Sequence, residues 1–170
     1  MQWVLRAQVG DRDALEALMR AVQPVLRRYL ARLVGQDADD LLQDILVIVI
    51  RKLHHLDDPK VFRPWTFRIA SREAFRHVRK RRLWNERHED GAGLEVMAGP
   101  AERPSGELLE RLLATPRLSP ASRAVLMLHF EQELSLPEVA AVLEIPLGTV
   151  KSRLAYGLAA LRKTIDRTGG

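Results

Sequence analysis

The sequence predicts an all-α fold made of two small helical domains joined by a flexible linker. Three observations predict it. No segment sustains apolar–polar alternation at period two, whereas apolar residues recur at three- and four-residue steps in both halves of the chain. Leu, Ala, Val and Arg dominate, and hydrophobic residues are 46% of the 170, so the chain has material for a core rather than for disorder. The pattern breaks once, at "ERHEDGAGLEVMAGPAERPSGE" (Glu86 to Glu107), which carries four glycines, two prolines and no helical period. The expected organisation is therefore a domain over 1–84, a linker over 85–107 and a second domain over 108–170.

In the first domain, Asp11 or Asp13 caps a helix that includes "ALEALMRAVQPVLRRYLARLVG". Leu15, Leu18, Met19, Val22, Leu26, Leu30 and Leu33 supply its buried stripe. Pro24 lies inside that stripe's span and is expected to kink or interrupt the helix, and Gly35 ends it. A second helix runs from about Asp37 to Leu53. A third opens near "RPWTF", with Pro64 in its first turn, and runs to about Arg82 or Trp84. In the second domain a short helix, "ELLERLLA", precedes Pro116. Ser119 caps "PASRAVLMLHFEQE", with Pro120 at the first helical position. "SLPE" (Ser135 to Glu138) has the form of a capping box, because a hydroxyl and a carboxylate three residues apart can satisfy each other's backbone N–H. That helix ends near Leu143, the turn "EIP" follows, and the last helix runs from about Leu147 to Ile165.

Several function classes drop out. There is no cysteine, which excludes disulfides and thiolate metal sites and suits a reducing cytoplasm, the expected location. The first residues interrupt their apolar run with Arg6, Asp11 and Arg12, unlike a signal peptide, and the longest apolar run, "ILVIVI", is far too short to cross a bilayer. No direct membrane insertion is expected. No histidine has ligand spacing to the carboxylates of Asp37 to Asp44, so no catalytic residue, metal or cofactor is expected.

A net charge of +5 favours polyanionic partners, and its distribution says where. The two helices around "EIP" form a helix-turn-helix candidate. On the last helix Val150, Leu154, Gly157, Leu158 and Leu161 fall on one side, which is core. Ser152 and Tyr156 lie opposite, with Lys151 and Arg153 on the flanks, suited to base edges and phosphates. Any small bundle also turns polar residues outward, so spacing alone leaves both readings open. In "DADDLLQDILVIVIRKL" (Asp37 to Leu53), capping and the helix dipole account for Asp37 and Asp39. Asp40, Gln43 and Asp44 continue beyond the cap, ahead of an apolar run, and make a docking surface for a basic helical partner. "RPWTFRIASREAFRHVRKRRLW" (Arg63 to Trp84) is the most basic segment. Arg68, Arg72, Arg76 and Arg79 form one stripe, joined by Lys80, Arg81 and Arg82, against the single acid Glu73. Like charges one turn apart repel, and a phosphate backbone relieves that repulsion. Trp65 and Phe67 suit either core packing or stacking on unpaired bases.

"LSPASRAVLMLHFEQELSLPEVAAVLEIPLGTVKSRLAYGLAALRK" (Leu118 to Lys163) resembles region 4 of bacterial sigma-70-family RNA polymerase sigma factors of the extracytoplasmic-function group, and "GTVKSRL" is typical of it. "GDRDALEALM", "DADDLLQDILVIVIRKL" and "RPWTFRIASREAFRHVRKRR" resemble region 2 of the same group. The resemblance implies a factor that binds core polymerase and directs promoter-specific initiation without being an enzyme itself. It implies that Asp39, Asp40, Gln43 and Asp44 meet the β′ clamp helices, with the β flap as a further contact on core polymerase. It implies −10 contacts from Lys60, Phe62, Trp65, Arg68, Ser71, Arg72, Arg76, Arg79, Lys80 and Arg82. The loop "HHLDDPKVF" (His54 to Phe62) lies where relatives capture a flipped base. It implies −35 contacts from Thr149, Lys151, Ser152, Arg153 and Tyr156, and an anti-sigma factor as a further partner. Where relatives often carry "RIARN" or "RIAVN", this chain reads "RIASR", with Ser71 in place of the usual Asn, a change expected to alter −10 preference. The acids of the linker suit a basic polymerase channel as well as plain solvent. The competing reading is a stand-alone helix-turn-helix regulator, and a third is a protein-binding adaptor. The first leaves the acidic and basic helices without a job; the arginine stripe argues against the second.

Overall fold

A computed structural model describes residues 2–86, 106–114 and 118–168. The chain divides after Lys80 into two compact units, and among the described residues there is helix and no strand. The predicted linker falls largely on residues 87–105, outside the described residues. Of its described ends, Asn85 and Glu86 still belong to the helix before it, while Gly106 and Glu107 already belong to the helix after it.

The first unit opens with α1 (Gln2–Gln8), which the sequence pattern does not reveal because seven residues are too few to display a period. Val4 of α1 is buried with Leu53 and Leu56, and Ala7, Leu15, Leu18, Phe62 and Trp65 pack around that cluster. The next helix, α2 (Arg12–Val34), starts at Asp11, whose carboxylate accepts the Ala14 N–H at 3.0 Å and satisfies an otherwise orphan donor. The Ala14 amide first, then the Arg6 guanidinium, holds the Asp11 carboxyl below the usual carboxylate range. α2 runs unbroken through Pro24, so the expected interruption does not occur. Pro24 is on the exposed face, where water can take the carbonyl that the missing N–H leaves unbonded, while Val22, Leu26 and Leu30 stay buried on either side of it. Gly35 closes the helix at φ 67°, donating its N–H to Ala31 O.

A 3-10 turn (Gly35–Asp37) leads into α3 (Ala38–Lys52), which buries Ala38, Leu42, Ile45 and Val49 and packs on α2. Two more 3-10 turns, Leu53–His55 and Pro59–Val61, carry the chain to α4 (Phe62–Glu86). α4 buries Thr66, Phe67, Ala70, Ser71 and Ala74. Apart from Phe67 these are small. The Phe67 ring meets Tyr29 of α2 edge-to-face, with centroids 5.2 Å apart and planes at 87°.

The second unit has α5 (Gly106–Leu113), α6 (Pro120–Leu126), α7 (Leu136–Leu143) and α8 (Leu147–Thr168). Ser119 caps α6 by accepting the Ser122 N–H at 3.1 Å. After Leu126 the helix widens into a π turn (Met127–Glu131). The capping box of α7 is complete: Glu138 accepts the Ser135 N–H at 2.7 Å, and Ser135 Oγ accepts the Glu138 N–H at 3.4 Å. The Ser135 hydroxyl, donating to Glu138 Oε2 at 2.6 Å, and then the Ser135 N–H hold the Glu138 carboxyl below its usual range. Glu144, at φ 55°, ends α7 and donates its N–H to Ala140 O. α8 packs on α6 and α7 through buried Val150, Gly157 and Leu158. A Cβ at Gly157 would lie 2.8 Å from Leu126 Cδ1, so the glycine is what lets α8 close onto α6.

Candidate nucleic-acid and protein-docking interfaces

The interior of the first unit determines which faces are left for partners. On α3, Asp39, Asp40, Gln43 and Asp44 are all exposed, opposite the buried aliphatic stripe. The same outward side continues into Val47 and Ile50, which are 46% and 42% exposed. Large aliphatic groups left in water beside carboxylates suit a protein partner better than a solvated face. Asp39 is held by Arg27 of α2 in a two-point ion pair, Nε to Oδ1 at 2.6 Å and Nη2 to Oδ2 at 3.0 Å. The Arg27 hydrogen bonds depress the Asp39 carboxyl, and Asp39 raises Arg27 in return. Asp37 departs from expectation: its side chain makes no cap bond and instead lies 2.9 Å from His77 Nε2 of α4. It therefore ties the start of α3 to α4.

On α4 the arginine stripe is outward. Arg68, Arg72, Arg76 and Arg79 are exposed, as are Lys80, Arg81 and Arg82, and Glu73 pairs with Arg76 at 3.0 Å. Phe67 is fully buried and has no face for a base. Trp65 and Phe62 are half-buried, 6.2 Å apart, and rest on the Val4–Leu53–Leu56 cluster, so each keeps only part of its ring for a ligand. Lys60 is exposed on the preceding turn, where Asp58 Oδ1 accepts its backbone N–H at 2.9 Å.

Ser71 must be corrected. It is 2% exposed; its hydroxyl donates to Phe67 O and receives the Tyr29 hydroxyl, both at 2.7 Å. A side chain used up inside the core cannot touch a promoter directly. Burial pushes the Tyr29 phenol well above its ordinary value, against a smaller downward pull from Ser71, so it is a neutral donor here. Letter by letter, "RIASR" also sets Arg72, not Ser71, opposite the Asn of "RIARN". The departure that faces solvent is an added cation.

On α8, Lys151 and Ser152 are exposed, and Thr149, Arg153 and Tyr156 are half-buried. Ser152 Oγ donates to Thr149 O at 3.0 Å, which leaves the hydroxyl its acceptor capacity toward a ligand. These five residues occupy the first three turns of the helix after the tight turn, the part of a helix-turn-helix that enters a major groove. Val47 and Ile50 were legible only as members of an apolar run, and nothing in the linear text marks Arg27 as the partner of Asp39, twelve positions away. Among the described residues no helix is long and apolar enough to cross a membrane, and no group of side chains has the makings of a metal site.

Residues 18–83 match the family described as Sigma-70 region 2, and residues 116–163 match Sigma-70, region 4. The chain is 34% identical to the ECF RNA polymerase sigma factor SigL of Mycobacterium tuberculosis, over 96% of this chain and 98% of that protein. It is 26% identical to the ECF RNA polymerase sigma factor SigW of Bacillus subtilis, over 95% and 94%. Its fold is similar to that of the sigma factor RpoE of Bartonella quintana, solved in complex with the anti-sigma factor NepR, at a TM-score of 0.68 and 26% identity, over 89% of this chain and 96% of that one. With two successive sigma-70 regions and near-full-length relatives of one kind, the chain belongs to the extracytoplasmic-function (ECF) group of RNA polymerase sigma factors.

Proposed function

We propose that this sigma factor docks on core polymerase through the outward side of α3 and reads its promoter with α4 and α8. Asp39, Asp40, Gln43 and Asp44 would meet the β′ clamp helices, with Val47 and Ile50 as the apolar part of the contact. The loop before α4, with Lys60, Phe62 and Trp65, and the cations Arg68, Arg72, Arg76, Arg79, Lys80 and Arg82 would hold and help part the strands of the −10 element. Thr149, Lys151, Ser152, Arg153 and Tyr156 would read the −35 element, and the second unit would rest on the β flap. The proposed working division is a core-binding and melting domain over 1–84, a linker over 85–107 and a duplex-reading domain over 108–170.

The observation that carries this reading is the α4 stripe: four arginines exposed along one side of a helix whose opposite side is closed by Phe67, Ala70, Ser71 and Ala74. Like charges one turn apart on such a face repel, an effect Glu73 offsets at Arg76, and a polyanion lying along it relieves that repulsion. The polymerase supplies the chemistry; the sigma factor supplies position, and its site of action is the cytoplasm. Linking two weak DNA-binding units on one polymerase raises the effective concentration of each at the other's element. A relative's complex with an anti-sigma factor supports a regulator of that kind for this chain too. A stand-alone helix-turn-helix regulator would use the second unit alone and leave the region 2 match without a role. The test is permanganate footprinting of promoter DNA with holoenzyme: unpaired −10 thymines react when wild-type protein is present. Protection of −35 DNA without −10 reactivity would refute the melting role.

A further inference from the structure

The loop between α3 and α4 is held by a side chain from far away in sequence. Gln8, the last residue of α1, points its amide at the loop: Nε2 donates to Leu53 O at 2.9 Å and to Leu56 O at 2.8 Å. Both amide hydrogens are thereby used. The acceptors are the carbonyls that a helix leaves open where it ends, and Leu53 O also takes the Leu56 N–H at 3.1 Å. Beneath them, Leu53 and Leu56 are packed on Val4 of the same α1. Farther on, Asp58 fixes the Lys60 N–H. The backbone is thus fastened from below, while His54, His55, Asp57, Asp58, Lys60 and Val61 stay exposed along its outer edge.

We propose that Gln8 is a positioning residue for base selection at the −10 element: by closing the two carbonyls it sets the 53–61 backbone that an unstacked base must fit. The inference rests on the reading that this loop receives such a base. Discrimination between bases requires polar groups held in place, because an edge free to move adapts to any of them. Gln8 touches no DNA in this account; its effect passes through Leu53 and Leu56.

The experiment uses holoenzyme carrying wild-type protein, Gln8→Met, Gln8→Glu or Gln8→Lys. The readout is the ratio of open-complex formation rates on two promoters that differ at one non-template −10 base, surveyed across the element. Methionine keeps the length and removes both donors; glutamate points a carboxylate at two carbonyls; lysine can still donate to both. The expected result is a fall in the ratio on the order of tenfold for Gln8→Met and Gln8→Glu, the worth of two net hydrogen bonds, with Gln8→Lys close to wild type. Core affinity and −35 dependence should be unchanged. A wild-type ratio near one at every −10 position would sink the base-capture reading itself. A clear wild-type ratio that persists in Gln8→Met and Gln8→Glu would overturn the role of Gln8 alone, as would a loss of rate equal on both promoters. If Gln8→Met lowers the melting temperature of the whole first unit, Gln8→Lys decides: loss of the ratio with both donors restored overturns the proposal.

Discussion

α3 and α4 are built alike inside and opposite outside. Both bury a stripe: Ala38, Leu42, Ile45 and Val49 on α3, which packs on α2, and Phe67, Ala70, Ser71 and Ala74 on α4, where Phe67 and Ser71 meet Tyr29 of α2. Outward, α3 shows carboxylates that grade into exposed Val47 and Ile50, and α4 shows arginines one turn apart. The difference teaches what each face can bind. Aliphatic area gains by leaving water, so the Val47 and Ile50 part of the α3 face should hold a partner independently of salt, while its carboxylates add a salt-sensitive attraction to a basic partner. Fixed cations gain by releasing counterions from a polyanion, so the α4 face should be salt-dependent throughout.

The largest effect should come from removing the packing beneath the α4 face. Phe67→Ala should cost about 3–5 kcal/mol of stability, read by thermal or urea unfolding, because it opens a cavity against Tyr29. A loss under about 1 kcal/mol would show that the α2–α4 contact does not hold the first unit together. Next in size is the stripe. Replacing Arg68, Arg72, Arg76 and Arg79 by alanine should reduce the log–log salt slope of holoenzyme–DNA binding by about 3, from about 0.7 per single-strand phosphate contact. An unaltered slope contradicts phosphate contact by α4.

The α3 face predicts a smaller and differently shaped effect. Asp40→Lys with Asp44→Lys should weaken core binding about tenfold or more at low salt, with the deficit shrinking as salt rises. Val47→Ser with Ile50→Ser should weaken it by a factor that salt leaves unchanged. Equal affinity in both pairs would remove α3 from the interface. The smallest effect concerns acid. Asp11, Asp39 and Glu138 are held below their ordinary values of 3.8, 3.8 and 4.5 by native hydrogen bonds, so their stabilisation is present above those values. It is lost as pH falls through the lowered native values. Glu138→Gln should therefore make the acid-side decline of the melting temperature shallower, and an identical decline would show that the capping box contributes nothing there.

Legibility followed the range of the forces. Asp11, Gly35, Ser119 and the Ser135–Glu138 box act within a few residues, so the linear text shows them. The arginine stripe was legible for the same reason, since i, i+4 spacing on one helix needs no knowledge of the fold. Pro24 misled because its place on the solvent face of α2, where water can take the freed carbonyl, is set by the packing of the whole unit rather than by its neighbours in sequence. Ser71 misled because the partner that draws it inward, Tyr29, lies 42 positions away. Arg27 at Asp39, His77 at Asp37 and Gln8 at the α3–α4 loop depend likewise on distant segments meeting, and their residue types alone give no hint of it.

In the proposed mode of action one chain docks on polymerase with α3 and reads two promoter elements with α4 and α8. The most direct measurement is run-off transcription by purified core polymerase on three templates: the intact promoter, one with the −10 element scrambled and one with the −35 element scrambled. A start-site-specific transcript should appear only with the added protein and fall on each scrambled template. Arg153→Ala should lower output on the intact template and leave the −35-scrambled template where it was. Transcription unaffected by the protein, or loss on the −35-scrambled template alone with the −10 sequence immaterial, would contradict this mode of action.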